Sequence, residues 1–391
     1  MRKKVLFINS NLTIDGANIS LINLLKTLDY NKYDVRLGLF TLKGELLSEV
    51  PNEVEVFILD ENLEILTLPM VKSISKLFSK KEYNMIIYRI LFSIKTKLKK
   101  QKGLYLNFWN KSKPIIKYNY SNPDIAISYQ DNWSRYYLID KVKAKKKVVW
   151  NHTTLNDIDV EKERDYFNKA QLCVTVSSSS EKTLKRSLNE YDLNYVIQEN
   201  IILKDEIKKK SIATSDLKID KENFNIVTVA RLSYIKGVDL IPNAAYFLKK
   251  NNLNFKWYIV GEGPEYKILK KKINKLNLNN HIILVGKQIN PYPYMENANV
   301  YVQPSRSEAK SIAVEEAKVL GKIVVCTNYP TVSSQISDGE TGFIVNLDSE
   351  AISKKILDIA SGKHNLSYIV KKNQMEEINR NNSKSLDYIF N

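Results

Sequence analysis

Short, dense apolar runs recur along the chain, and most lead into a stretch whose apolar residues fall three and four apart. The runs cover residues 5–8, 35–40, 54–59, 123–128, 147–150, 172–176 and 195–201, then 224–229, 256–260, 281–285, 299–303, 323–326 and 342–345. They have the length and continuity of strands buried on both faces, as in a parallel sheet. The three-and-four spacing predicts helices over 18–28, 239–250, 265–276, 312–320 and 351–360. Two such series with right-handed crossovers predict an α/β chain of two Rossmann-like, doubly wound domains facing across a cleft. Residues 203–222, rich in Lys, Asp and Ser and without clean periodicity, read as the connection. The expected division is an N-terminal domain over 1–204, a C-terminal domain over 205–372, and a helical tail, 373–391, packing back on the first domain.

The pattern is sharpest from Pro304 to Gly321. The run 299–303 ends in the turn Pro304-Ser305-Arg306-Ser307, and a helix follows from Ile312 until Gly321 stops it. Glu308 then lies in the strand-to-helix loop and Glu316 about two turns into the helix. Such a loop points backbone N–H groups, here those of Lys310, Ser311 and Ile312, out of the carboxyl end of a sheet, where phosphates bind. Two carboxylates beside an anion site repel the anion, so hydrogen-bonding sugar and ribose hydroxyls is their natural role. As isolated features they are ordinary helix-surface charges. Arg231 and Lys236, five apart across another strand-to-helix turn that ends in Gly237, can both reach a diphosphate. His152 follows the run 147–150 and is placed at a sheet's carboxyl end, within reach of a ligand.

Three stretches in this order, Val229-Ala230-Arg231-Leu232-Ser233-Tyr234-Ile235-Lys236-Gly237, Val260-Gly261-Glu262-Gly263-Pro264-Glu265 and the glutamate stretch, resemble glycosyltransferase family 4, the retaining nucleotide-sugar transferases of the GT-B fold. The resemblance is strong over about 225–346 and weaker over the N-terminal half. It implies Glu308 at the donor sugar's hydroxyls, Glu316 at the ribose diol, and the backbone of Lys310, Ser311 and Ile312 near the phosphates. It also implies base reading at Gly286 and Lys287, His152 near the reaction centre, and Gly16 beside the donor diphosphate. Relatives carry a glycine pair at that last place, whereas this chain has Asp15 and Gly16; they also carry Gly and Phe after the first glutamate, where this chain has Ala309 and Lys310. In a metal-independent transferase Arg231 and Lys236 neutralise the leaving nucleoside diphosphate, and no cofactor is required. Asp157-Ile158-Asp159 spells a metal-binding pattern of another transferase fold and reads here as a solvated helix entry.

Composition adds one local feature. The chain has 391 residues, 43% of them hydrophobic, and no apolar run long enough to span a membrane. Its start, Met1-Arg2-Lys3-Lys4, leads into a first strand and does not read as a signal peptide. Its two cysteines, Cys173 and Cys326, read as buried free thiols of a reducing cytoplasm. The net charge is +17, and residues 71–120 hold 13 Lys or Arg against one acid, Glu82. Apolar residues at helical spacing over 73–102, among many lysines, predict a basic amphipathic helix or helix pair suited to an anionic membrane surface. A core-facing pair with a solvated outer face is the alternative. Nucleic-acid binding is disfavoured, because the charge lies on an apolar-striped segment without a recognition motif. The combined expectation is a retaining glycosyltransferase, peripheral at the inner face of the plasma membrane, moving a sugar from a UDP-linked donor to a glycan or polyprenyl-diphosphate-linked acceptor in bacterial surface polysaccharide synthesis. A sugar-nucleotide epimerase of similar fold, or a non-catalytic basic binding protein, is the alternative.

Overall fold

The computed structural model describes residues 1–98, 103–118, 120, 122–131, 133–152, 160–188, 193–212, 219, 222–378 and 383–391. Asp157 to Asp159 lie outside the described residues. The chain divides into two units, residues 1–200 with 382–391, and residues 201–381.

The first unit is built on a parallel sheet of β1 (Lys3–Asn9), β2 (Tyr33–Leu39), β3 (Glu55–Ile58), β4 (Ile125–Ser128), β5 (Lys146–Asn151), β6 (Leu172–Thr175) and β7 (Tyr195–Ile197), in the order β3-β2-β1-β4-β5-β6-β7. Val5 to Ile8 of β1 and all of β4 are buried, as continuous apolar runs demand. The second unit repeats the plan with β8 (Phe224–Val229), β9 (Phe255–Val260), β10 (Ile282–Gly286), β11 (Val300–Gln303), β12 (Ile323–Thr327) and β13 (Phe343–Val345), in the order β10-β9-β8-β11-β12-β13, again all parallel. Each sheet has a switch point, between β1 and β4 in one and β8 and β11 in the other. There neighbouring strands send their connections in opposite directions, and their carboxyl ends leave a crevice.

Two elements differ from expectation, and a third, the segment 73–102, takes the helix-pair form of its two expected forms. The stretch read as a connection contains the helix Lys204–Ser211, which belongs to the second unit; Asn290 Nδ2 donates to Lys210 O at 2.9 Å. Only Ile207 and Ser211 are buried on this helix, too few to print a period. The tail expected at 373–391 is divided. The helix Leu366–Ile378 stays with the second unit, where Asn373 Nδ2 donates to Thr341 O at 3.0 Å. The helix Ser383–Phe390 lies on the first unit. There Phe390 meets Tyr33 at 5.2 Å and Phe7 at 6.3 Å between ring centroids, and Lys146 Nζ donates to Tyr388 O and Ile389 O at 3.0 Å. The segment 73–102 contains two helices, Met70–Ser79 and Tyr83–Lys97, broken at Lys81, whose φ is +61°.

Phe390→Ala empties a fully buried site and is expected to destabilise the first unit by about 3 kcal/mol, read as a lowered urea midpoint. An unchanged midpoint contradicts the packing of this helix.

Candidate functional site

At the switch point of the second unit the loop after β8 meets the loop after β11. Gly237 has φ +66°, and a Cβ there would stand 1.7 Å from Pro304 O, so only glycine lets the two backbones touch. Arg306 fastens them. Its N–H donates to Ile235 O at 2.7 Å, Nη1 donates to Tyr234 O at 2.6 Å, and the guanidinium grips Asp239 through two bonds of 2.6 and 2.8 Å. The same group lies 3.8 Å over the Tyr234 ring. Charge-assisted bonds of this forked kind fix geometry as well as attract.

That clamp sets Lys236 against Glu308, with Nζ donating to the two carboxylate oxygens at 2.7 and 2.6 Å. Glu308 is buried, and its Oε1 also accepts from Ser305 Oγ at 2.7 Å and Gln303 Nε2 at 3.1 Å. Tyr301 OH holds the Gln303 amide oxygen at 2.5 Å, and Thr331 Oγ1 holds Glu308 O at 2.7 Å. Lys236 and Glu308, singled out separately in the sequence, are thus one ion pair. Arg231 sits in the same β8 loop with its side chain exposed.

Glu316 projects from the helix Ile312–Val319, which ends where expected: Gly321 has φ +66°, its N–H donates to Lys318 O, and the N–H of Lys322 donates to Ala317 O. The Glu316 carboxyl is buried and accepts from Tyr292 OH at 2.8 Å. Burial pushes its pKa up to about 7, while the Tyr292 bond pulls the other way. The three amides expected to be open are not equivalent. Ser311 N–H is taken by Gln335 Oε1 at 2.8 Å, and Gln335 Nε2 returns bonds to Ser311 O and Glu315 Oε1, both 2.8 Å. An anion reaching the Ser311 amide therefore has to displace Gln335. The Lys310 side chain is buried. Gly286 ends β10, with φ +82°, and Lys287 follows at the carboxyl end of that edge strand.

In the first unit Gly16 opens the helix Gly16–Leu25, but Asp15 is its N-cap. The carboxylate accepts from Asn18 N at 2.8 Å and from Asn18 Nδ2 at 3.0 Å. The helix end expected to meet a phosphate already carries an anion, so a diphosphate at Gly16 meets like charge. Asn18 Oδ1 in turn accepts from Asn9 Nδ2 at 2.7 Å and Gln130 Nε2 at 3.0 Å, which ties the loops after β1 and β4 together. His152 follows β5, with its ring 4.8 Å from Tyr129 and stacked on Trp150 at 6.2 Å. Burial drives its pKa down to about 3, so the imidazole is neutral. Its Nε2 is buried without a partner among the described residues. Tyr129, Gln130, Tyr292, Arg306 and Gln335 carried no sequence signal; each is recognised only by a partner distant along the chain.

Two measurements test this geometry. Arg306→Ala frees the Lys236 turn from the Glu308 loop and is expected to lower stability by about 2 kcal/mol. Urea unfolding reads it, and a change within error removes the clamp. The folded state raises the pKa of Glu316, so this group's contribution to stability is fully present below the ordinary 4.5 and is lost as pH rises through about 7. Glu316→Gln removes that loss. Between about pH 4 and about pH 8 the variant should gain about 3 kcal/mol on the parent. Parallel stability–pH curves for the two proteins contradict the burial of an acid here.

Residues 209–381 match the family profile described as "Glycosyl transferases group 1". The chain is 32% identical over 131 residues, 33% of this chain and 35% of the relative, to the N-acetylgalactosamine-N,N'-diacetylbacillosaminyl-diphospho-undecaprenol 4-alpha-N-acetylgalactosaminyltransferase of Campylobacter jejuni. It is 29% identical over 141 residues, 36% of this chain and 37% of the relative, to the capsular polysaccharide biosynthesis glycosyltransferase CapM of Staphylococcus aureus. These matches span roughly a third of the curated relatives' own length. Among solved structures, Anabaena HepE in complex with UDP superposes with a TM-score of 0.67 at 17% identity, over 99% of this chain and 97% of that one. The chain has the GT-B fold of such structures, and its residues 209–381 are similar to the group 1 glycosyltransferases.

Proposed function

We propose that the protein is a retaining glycosyltransferase that moves a sugar from a UDP-linked donor to a lipid-linked or glycan acceptor in bacterial surface polysaccharide synthesis. The observation that carries this reading is the Lys236–Glu308 pair at the β8/β11 switch point, in one unit with buried Glu316. A lysine ammonium has three donors, so Lys236 can keep Glu308 and turn another N–H to a phosphate. Glu308 then accepts from donor-sugar hydroxyls and Glu316 from the ribose diol. As the bond from the anomeric carbon to the diphosphate breaks, Lys236 and exposed Arg231 neutralise the departing charge without a metal ion. The acceptor hydroxyl attacks from the same face, and its proton passes to the leaving diphosphate. His152, held neutral by burial, serves as a hydrogen-bonding group and not as a cationic acid. Gly286 and Lys287 read the base.

The UDP complex of HepE supports the nucleotide, and the diphospho-undecaprenol acceptor in the Campylobacter relative's name supports a lipid-linked acceptor. In a groove of the first unit Lys43 and Lys76 are paired with Glu64 at 3.0 and 2.7 Å, so an acceptor phosphate there competes with that carboxylate for them.

Titration with UDP and a panel of UDP-, GDP- and ADP-sugars tests the reading. Lys236→Ala is expected to lower turnover by about 100-fold or more. Glu316→Ala is expected to weaken UDP binding about 10- to 100-fold, and unchanged UDP affinity in that variant overturns the assignment. Ribose hydroxyls donate to the ionised carboxylate, so the parent's UDP affinity relative to that of Glu316→Gln should rise with pH through about 7. A pH-independent ratio removes Glu316 from the site.

A further inference from the structure

We propose that the outer face of the helix Tyr83–Lys97, continued by the helix Met70–Ser79, docks the protein on an anionic lipid bilayer. The longer helix has two apolar faces, one packed on the core through Met85, Ile86 and Phe92 and the other turned to water. Arg89 lies on the inner face: it is buried, donates to Ser73 Oγ at 3.1 Å, Ser93 Oγ at 2.5 Å and Leu68 O at 2.7 Å, and lies over the Phe92 ring at 5.6 Å. The outward face carries an apolar stripe. Tyr83, Ile87, Ile90, Leu91, Ile94 and Leu98 fall three and four apart and are all exposed, Ile87 at 61%. Phe78 and Val71, one heptad apart on the neighbouring helix, extend the patch at 63% and 74% exposure. Phe78 and Tyr83 meet edge to face at 5.7 Å, so the two helices present one surface. A contiguous apolar face of this kind on a water-facing helix marks a surface that something covers.

Charge complementarity selects the cover. Exposed Lys72, Lys81 and Lys95 flank the stripe, and residues 71–120 hold 13 Lys or Arg against Glu82 as the single acid. A second copy docked by the same face would set lysine against lysine. An anionic lipid surface instead attracts every cation on the rim, roughly fivefold in partition for each one near it. Each methylene inserted at the headgroup boundary adds about fourfold. Among the described residues no helix is long and apolar enough to cross a membrane, so this face lies in the plane of the interface. The inference stands on the exposed stripe and its lysines and is independent of the catalytic reading.

The full-length protein is sedimented with vesicles of equal parts phosphatidylglycerol and phosphatidylcholine, and with phosphatidylcholine alone. Binding to the anionic vesicles only, weakened by salt, is expected. The double variant Ile87→Ser with Leu91→Ser changes outward side chains and should keep the parent's melting curve and UDP affinity while losing at least about tenfold in vesicle partition. Lys81→Ser with Lys95→Ser should lose a similar factor on anionic vesicles. Parent protein that ignores the anionic vesicles, or serine variants that bind them like the parent, overturn the proposal. So does a parent dimer that the serine variants convert to monomer without any vesicle binding, which would make the face a self-association surface. Vesicle binding without UDP binding would sink the catalytic reading and leave this one standing.

Discussion

The contact on which the site of the second unit depends is the meeting of two backbones at Gly237 and Pro304. Because no Cβ intervenes, Arg306 can bond the facing turn from above and Lys236 can reach Glu308 from below. A partly buried ion pair of this kind adds little net stability, since desolvation offsets attraction. What it does is specify. With Gln303, Ser305 and Thr331 holding the acid, and the Arg306–Asp239 fork holding the turn that bears the base, a cation and an anion are fixed at the open end of a sheet before any ligand arrives. Preorganised charge is what distinguishes such a crevice from the surrounding lysine-rich surface.

The two units handle burial of ionisable groups in opposite ways. In the second, an acid is buried with one hydroxyl partner, and burial brings the release of its proton up to about pH 7. In the first, a histidine whose Nε2 is buried beside two aromatic rings has its pKa driven down to about 3 and is neutral at neutral pH. Both follow from one cause, the cost of a charge in a poorly solvated place, acting on an acid and on a base.

Much of the fold was legible because most strands carry a short, dense apolar run. All thirteen runs became strands, in two sheets of the same order. The helices that escaped notice fail for identifiable reasons. Trp133–Lys141 buries Trp133 through Ile139 on all sides, so no polar face marks its period, and Lys204–Ser211 buries almost nothing. The amphipathic segment showed its period but not its orientation. Nothing in the spacing says that Arg89 goes in and Ile87 goes out; that needs Ser73 and the Leu68 carbonyl. The same limit holds at the site. Strand-to-helix grammar located Glu308 and Glu316, whereas Tyr292, 24 residues from its carboxylate, and Gln335, 24 from the Ser311 amide, are visible only in three dimensions.

The stacking of Trp150 on His152 reaches beyond chemistry. Trp150 is fully buried at the carboxyl end of β5, with a neutral imidazole parallel to its ring and Tyr129 against it at 4.6 Å. Indole emission responds to the polarity and the quenchers around it, so the chain carries a native fluorophore at the rim of its first sheet. Events at that rim would alter its share of the light from the chain's four tryptophans, with no label attached.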